Sequence, residues 1–152
     1  METKRARPFL QQVVAIAIMV AVFVFIERQI NVYLGRQAID NNDLDHYSFS
    51  QALEIAQQKN QPILANFLAL WCGACRTLEK TLLSKNTVQH RLRNDVVYVR
   101  LEQTNRQHQA LFAKYGISSY PTLLLLDTQG KLIDSIGYGL DEQQLLDRIP
   151  QH

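Results

Sequence analysis

Apolar side chains fall into two regimes along the chain. The first is a solid block: VVAIAIMVAVFVFI, from Val13 to Ile26, holds no polar side chain, and Phe9 and Leu10 extend it across two glutamines. A run of about 18 residues suits a helix that crosses a bilayer, whereas about 10 to 14 suits the core of a cleaved signal. Phe9 to Ile26 sits at that border. The chain continues as ERQINVYLGRQAID, with bulky and charged side chains where signal cleavage needs small ones. A retained transmembrane anchor over residues 9–28 is therefore expected, after an N-terminal segment 1–8. Helical spacing persists at Ile26, Ile30, Tyr33 and Leu34, so the helix should protrude from the membrane until DNNDLD ends it. Residues 29–45 read as stalk and linker.

Orientation follows from Lys4, Arg5 and Arg7, which crowd the short N-terminal side and favour a cytoplasmic N-terminus. Arg28 and Arg36 weaken this contrast without reversing it. The remainder then faces outward, and in a bacterial cell this gives a single-pass protein of the inner (cytoplasmic) membrane with its C-terminal domain in the periplasm. Disulfides form and exchange there.

The second regime starts near His46 and runs to about residue 150 with the mixed periods of an α/β domain. SFSQALEIAQQKN predicts a helix, with Ser48 and Gln51 at capping-box spacing. PILANFLAL, Pro62 to Leu70, is a continuous apolar run of the kind a central strand buries on both faces. Leu78 and Leu82 keep a helical face after Cys75, NTVQHRL adds a helical turn or two, and VVYVRL (Val96 to Leu101) predicts a second strand. HQALFAKY predicts a helix stopped by Gly116 in the left-handed conformation. TLLLLD and LIDSIGY predict strands joined by a TQGK turn, and Asp141 with Gln144 caps a last helix, with Leu140 packing on Leu145.

A net charge of +2 with 20% charged residues leaves no basic excess for a nucleic-acid backbone, so nucleic acid is not an expected partner. Two cysteines cannot build a disulfide scaffold, and a structural zinc site needs about four ligands. Cys72 and Cys75 therefore carry the chemistry or merely staple a loop. They stand in LWCGACRTLE, at a strand-to-helix junction, where a helix N-terminus stabilises an anionic sulfur. Cys72 is the natural attacking thiolate and Cys75 the thiol that resolves the mixed disulfide. Trp71 and Gly73 suit an exposed turn that a partner backbone can approach. A metal site and a hydrolase built on Cys72 and a histidine remain as weaker alternatives, with His90 and His108 expected on solvated helix faces. Arg100 is expected to reach solvent rather than enter the site.

ILANFLALWCGACR, KYGISSYPTLLLLDTQG and IGYGLDEQQLLDRI resemble, in order and spacing, the signature regions of the thioredoxin superfamily. The resemblance implies an α/β thioredoxin fold over residues 46–150, a central mixed β-sheet flanked by helices, and a redox-active disulfide between Cys72 and Cys75. It also implies that Pro121 is the family's cis-proline, with Tyr120 before it as a specificity residue. Trp71, Gly73, Tyr120 and Pro121 would bind substrate. CGACRTLEKTLLSKNTVQHRL further resembles the C-terminal domain of the DsbD family of transmembrane reductant transporters, where an acidic residue occupies the place of Glu79.

Two departures matter. Asn66 stands six residues before Cys72, where thioredoxins commonly bury an aspartate, and asparagine cannot act as a carboxylate base. Glu79 either lies beside the Cys75 thiol and influences its proton or is solvated and paired with Arg76. The multi-helix membrane core of the transporters is missing as well. The expected activity is thiol:disulfide exchange with protein thiols and disulfides, reducing or isomerising them, with no cofactor or metal. Gly73 and Ala74 lack the histidine of strongly oxidising relatives, which favours a reductant and implies a membrane electron donor. The competing class is a thioredoxin-fold chaperone or assembly factor that binds clients without redox turnover.

Overall fold

Helix α1 runs unbroken over Ala6–Asp40, 35 residues. In the computed structural model, which describes residues 6–40, 44 and 47–151, its 18-residue apolar window reaches a mean hydropathy of 2.6 and buries nothing against the rest of the chain. Phe9, Phe23 and Phe25 are 71%, 67% and 62% exposed, as a surface made for lipid would be. The helix is long and apolar enough to cross a membrane. Lys4, Arg5 and the side chain of Arg7, on which the expected orientation leans, lie outside the described residues, as do 41–43, 45 and 46 of the linker and its junction with the domain.

Helix α2 (Phe49–Lys59) starts at the expected capping box: the Ser48 hydroxyl accepts from the Gln51 N–H, and the Gln51 side chain accepts from the Ser48 N–H. It buries Ala52 and Ala56, small residues that let it lie close to the sheet. Strand β1 (Ile63–Leu68) is buried at every position and ends two residues before the expected Leu70. Next come α3 (Gly73–Leu78), a π-helical turn over Glu79–Leu83, α4 (Asn86–Asn94) and β2 (Val97–Glu102). Helix α5 (Gln109–Lys114) gives way to Gly116 at φ +65°, as its glycine predicted. Strands β3 (Thr122–Leu126) and β4 (Leu132–Ile136) form a hairpin closed between Asp127 and Lys131, and α6 (Glu142–Arg148) carries its own capping box from Asp141.

The four-stranded sheet has the order β2-β1-β3-β4. β2 runs parallel to β1, and β3 and β4 are antiparallel to their neighbours, which makes the sheet mixed as expected. Side chains alternate between its two faces. Ile63, Ala65, Phe67, Val97, Val99 and Leu101 pack with α2 and α5, while Leu64 and Tyr98 pack with Leu78, Leu82, Val88 and Leu145 on the other side. That second face decides the site. In register, Asn66 lies opposite Arg100, and by the same alternation both join Tyr98 beneath α3 and the π-helical turn.

The end of α1 belongs to the domain. Gly35 and Ala38 are buried, and Ile39 packs against the cluster of Leu68, Ala69, Cys72 and Cys75. A Cβ on Gly35 would lie 2.1 Å from the Leu70 carbonyl oxygen, so only glycine permits the helix to approach this closely.

Candidate functional site

Where β1 ends, the Cys72 N–H donates to the Ala69 carbonyl at 3.0 Å, turning the chain so that Cys72 becomes the N-cap of α3. Its Sγ accepts from the Cys75 N–H at 3.1 Å, a bond that stabilises a negative sulfur on reduction. The two cysteines form a disulfide, with Cα atoms 5.3 Å apart, and are 8% and 4% exposed. Gly73 is exposed, and a Cβ there would meet only the tip of Arg76 at 4.0 Å, so the turn is open to an approaching chain.

The peptide bond between Tyr120 and Pro121 is cis. Cys72 Sγ lies 3.6 Å from the Tyr120 carbonyl oxygen. Trp71, 41% exposed, meets the Tyr120 ring edge-on at 6.1 Å, and Tyr120 in turn meets Phe112 at 5.8 Å. Trp71 and Tyr120 thus touch each other beside the Cys72 sulfur, with exposed Gly73 next to it and the buried Pro121 following Tyr120.

Glu79 lies on the inner side of the pair. The π-helical turn widens the helix where Glu79 begins it, and Leu78, Glu79, Leu82 and Leu83 all turn inward. Glu79 is 1% exposed and shares a small apolar cavity with Cys72, Cys75 and Arg76, closed from above by Gly35 and Ile39 of α1. The alternative of a solvated glutamate paired with Arg76 is overturned: Arg76 donates to Asn31 of α1 at 3.3 Å, and Glu79 pairs with Arg100.

Arg100 departs from its expected, solvent-reaching placement. Its side chain is 7% exposed, not solvent-reaching, and it donates from Nε to Glu79 Oε1 and from Nη2 to Oε2, each at 3.1 Å. The guanidinium also lies 5.1 Å from the Tyr98 ring centre. Burial works to lower the Arg100 pKa, but the neighbouring Tyr98 and Glu79 outweigh it and hold it above its ordinary value. Burial, reinforced by the Glu79 charge, pushes the Tyr98 hydroxyl well above the usual range. Asn66 Nδ2 donates to Glu79 Oε1 at 3.2 Å and to the Tyr98 hydroxyl at 2.9 Å, so the amide sits where it can serve a carboxylate instead of repelling one. The signal for Arg100 was present in the alternation Tyr98, Arg100 along β2. The stalk contacts from Asn31 and Gly35 had no comparable signal.

His90 is exposed on α4 as expected, but His108 is half-buried before α5, where its Nδ1 accepts from the Glu102 N–H at 2.9 Å. Among the described residues no group of three or more His, Cys, Asp or Glu is placed to hold a metal ion.

Residues 44–128 match a family model described as thioredoxin-like. The chain is 25% identical over 124 residues to the thiol:disulfide interchange protein DsbD of Yersinia pestis, covering 76% of this chain and 21% of that protein. It is 30% identical over 102 residues to the chloroplastic thioredoxin Y2 of Arabidopsis thaliana, covering 67% of this chain and 58% of that one. Among solved structures, the oxidoreductase DsbH superposes with a TM-score of 0.64 at 23% identity, over 69% of this chain and 81% of that one. The oxidised C-terminal domain of Neisseria meningitidis DsbD gives 0.55 at 18% identity, over 64% and 87%. The chain spans about a fifth of the length of the DsbD relatives it matches. With more than half of its length under that model, and with the fold and the bonded Cys-x-x-Cys pair in agreement, the chain belongs to the thioredoxin-like family.

Proposed function

We propose that the protein is a membrane-anchored thiol:disulfide oxidoreductase that reduces or isomerises disulfides of periplasmic proteins. One observation carries the reading: the Cys72 sulfur caps a helix, accepts the Cys75 N–H and faces the carbonyl before a cis-proline, beside two aromatic side chains. In the reduced protein the Cys72 thiolate attacks a partner disulfide, forming a mixed disulfide and expelling one partner sulfur, which takes up a proton. Cys75 then loses its proton and attacks Cys72 Sγ, closing the disulfide and releasing the second partner sulfur. The partner gains two electrons and the enzyme loses two. A second dithiol protein must restore them, and the apolar α1 supports a donor in the same membrane. Trp71, Gly73, Tyr120 and Pro121 receive the partner chain, and Glu79, buried beside Cys75, acts on the resolving proton.

The test is Cys75→Ala in the full chain, which should trap clients on Cys72 as reducible adducts. A parallel variant, Cys72→Ser with Cys75→Ser, should lose all reductase turnover. Activity kept without either sulfur would replace this reading with a client-binding chaperone or assembly factor.

A further inference from the structure

Between α1 and the redox motif lies a cleft of about 480 Å³, lined by Val24, Glu27, Arg28, Asn31, Trp71 and Gln103. We infer that this cleft is the docking surface for an extended juxtamembrane segment of an integral membrane protein that exchanges its disulfide with Cys72. The inference rests on the oxidoreductase reading and adds the surface and the class of partner.

Height comes first. Val24 belongs to the apolar run that ends at Ile26, and Glu27, Arg28 and Asn31 follow within the next one to two helical turns. The floor of the cleft is thus at the edge of the hydrocarbon and its top at the redox rim. A soluble partner would have to enter the headgroup layer to fill it, whereas a chain already embedded in the membrane presents its first extramembrane residues at that level. Continuity comes second, because Trp71 forms both a wall of the cleft and the rim beside Cys72. A segment lying in the cleft therefore leads its own cysteine onto the attacking sulfur.

Chemistry selects protein over lipid. Glu27 and Arg28 contribute one charge of each sign, so the lining offers no net attraction to an anionic headgroup. Asn31, whose amide oxygen is held by Arg76, supplies amide donors, and Gln103 supplies both donor and acceptor of the kind an extended backbone needs. The volume lies within the range of ordinary binding clefts.

The experiment uses the full-length Cys75→Ala protein in native membranes, with a photo-crosslinking amino acid placed at Arg28, at Gln103, or at Tyr33, which is exposed on the same helix but outside the cleft. Irradiation from Arg28 and Gln103 should cross-link the same chain that is disulfide-bonded to Cys72, about tenfold or more over Tyr33, as expected for a segment held in place by two contacts. That chain should stay in the membrane after alkaline carbonate washing. Cross-links to lipid alone, to a chain removed by the wash, or to none would overturn the proposal, and so would equal yields from all three positions. A membrane chain cross-linked from the cleft yet never bonded to Cys72 would preserve the docking surface and sink the redox reading instead.

Discussion

Arg100 grips Glu79 with two parallel hydrogen bonds beneath the redox helix, one from Nε and one from Nη2. The pair exists because β1 and β2 place Asn66 and Arg100 opposite each other while the π-helical turn carries Glu79 down onto them. Removing one member of a buried pair strands a charge, at a cost of about 3–5 kcal/mol, whereas removing both costs far less. Arg100→Met should therefore lower stability by roughly that amount in urea unfolding, and Glu79→Gln combined with Arg100→Met should recover most of it. Additive losses in the double variant would show the pair to be uncoupled.

Glu79→Gln strands the Arg100 charge and shares that stability cost, but in conditions where the variant stays folded it also tests the chemistry. The amide keeps the volume but cannot take a proton, so resolution of the Cys72 mixed disulfide should slow by about tenfold or more. The first attack by Cys72 should stay nearly intact. Stopped-flow mixing with a protein disulfide separates the two phases, and unchanged resolution would remove Glu79 from the mechanism.

Asn66→Asp restores the acid that thioredoxins commonly bury and should here be harmful. It replaces the amide that donates to Glu79 at 3.2 Å with a second carboxylate and no donor. Two carboxylates in one buried site share a proton, so one carboxyl of the pair titrates above its unfolded value. That sign makes the destabilisation small below about pH 4 and larger as pH rises through the range where the unfolded chain ionises and the folded one resists. Urea midpoints for variant and parent should converge at acid pH and separate toward neutrality.

Tyr98 should contribute a loss of stability at alkaline pH. Its hydroxyl is held above the ordinary 10.0 by burial first and by the Glu79 charge second. The folded state keeps that proton when the unfolded chain has begun to release it, so stability is full below about pH 10 and falls as pH rises beyond it. Tyr98→Phe should start about 1 kcal/mol less stable, having lost the bond from Asn66, yet decline less steeply above pH 10.

Gly35→Leu addresses the seam between stalk and domain. With a Cβ only 2.1 Å from the Leu70 oxygen, α1 must lift, releasing the contact between Asn31 and Arg76. Alkylation of Cys75 in the reduced protein should then accelerate by about tenfold, since the wall over its cavity opens. An unaltered rate would mean that α1 does not cover the thiol in solution.

What the chain disclosed in advance was local. Capping boxes at Ser48 and Asp141, the stop at Gly116 and the strand-to-helix placement of the cysteines all depend on neighbours within a few residues, and each stands as expected. The cis bond before Pro121 came only from resemblance, because X-Pro bonds are mostly trans and nothing in the spacing chooses otherwise. A cation among apolar strand residues is expected to snorkel to solvent, and Arg100 departs from that because a buried carboxylate receives it. Its alternation with Tyr98 assigns it a face, but the buried counter-charge comes from a helix 21 positions away. Gly35 carries no pattern of its own, since its role exists only once the Leu70 backbone is beside it.

The packed seam at Gly35 gives the molecule a ruler. Gly35 stands nine positions past Ile26, so with α1 inserted as proposed, the pitch of an α-helix would carry the disulfide at a set elevation of about 14 Å over the lipid. A flexible tether would let the sulfur sample a hemisphere; a rigid one confines it to a sheet parallel to the membrane. On the proposed function, encounters would become lateral collisions in that plane, and a client would be chosen as much by the altitude of its cysteines as by their chemistry.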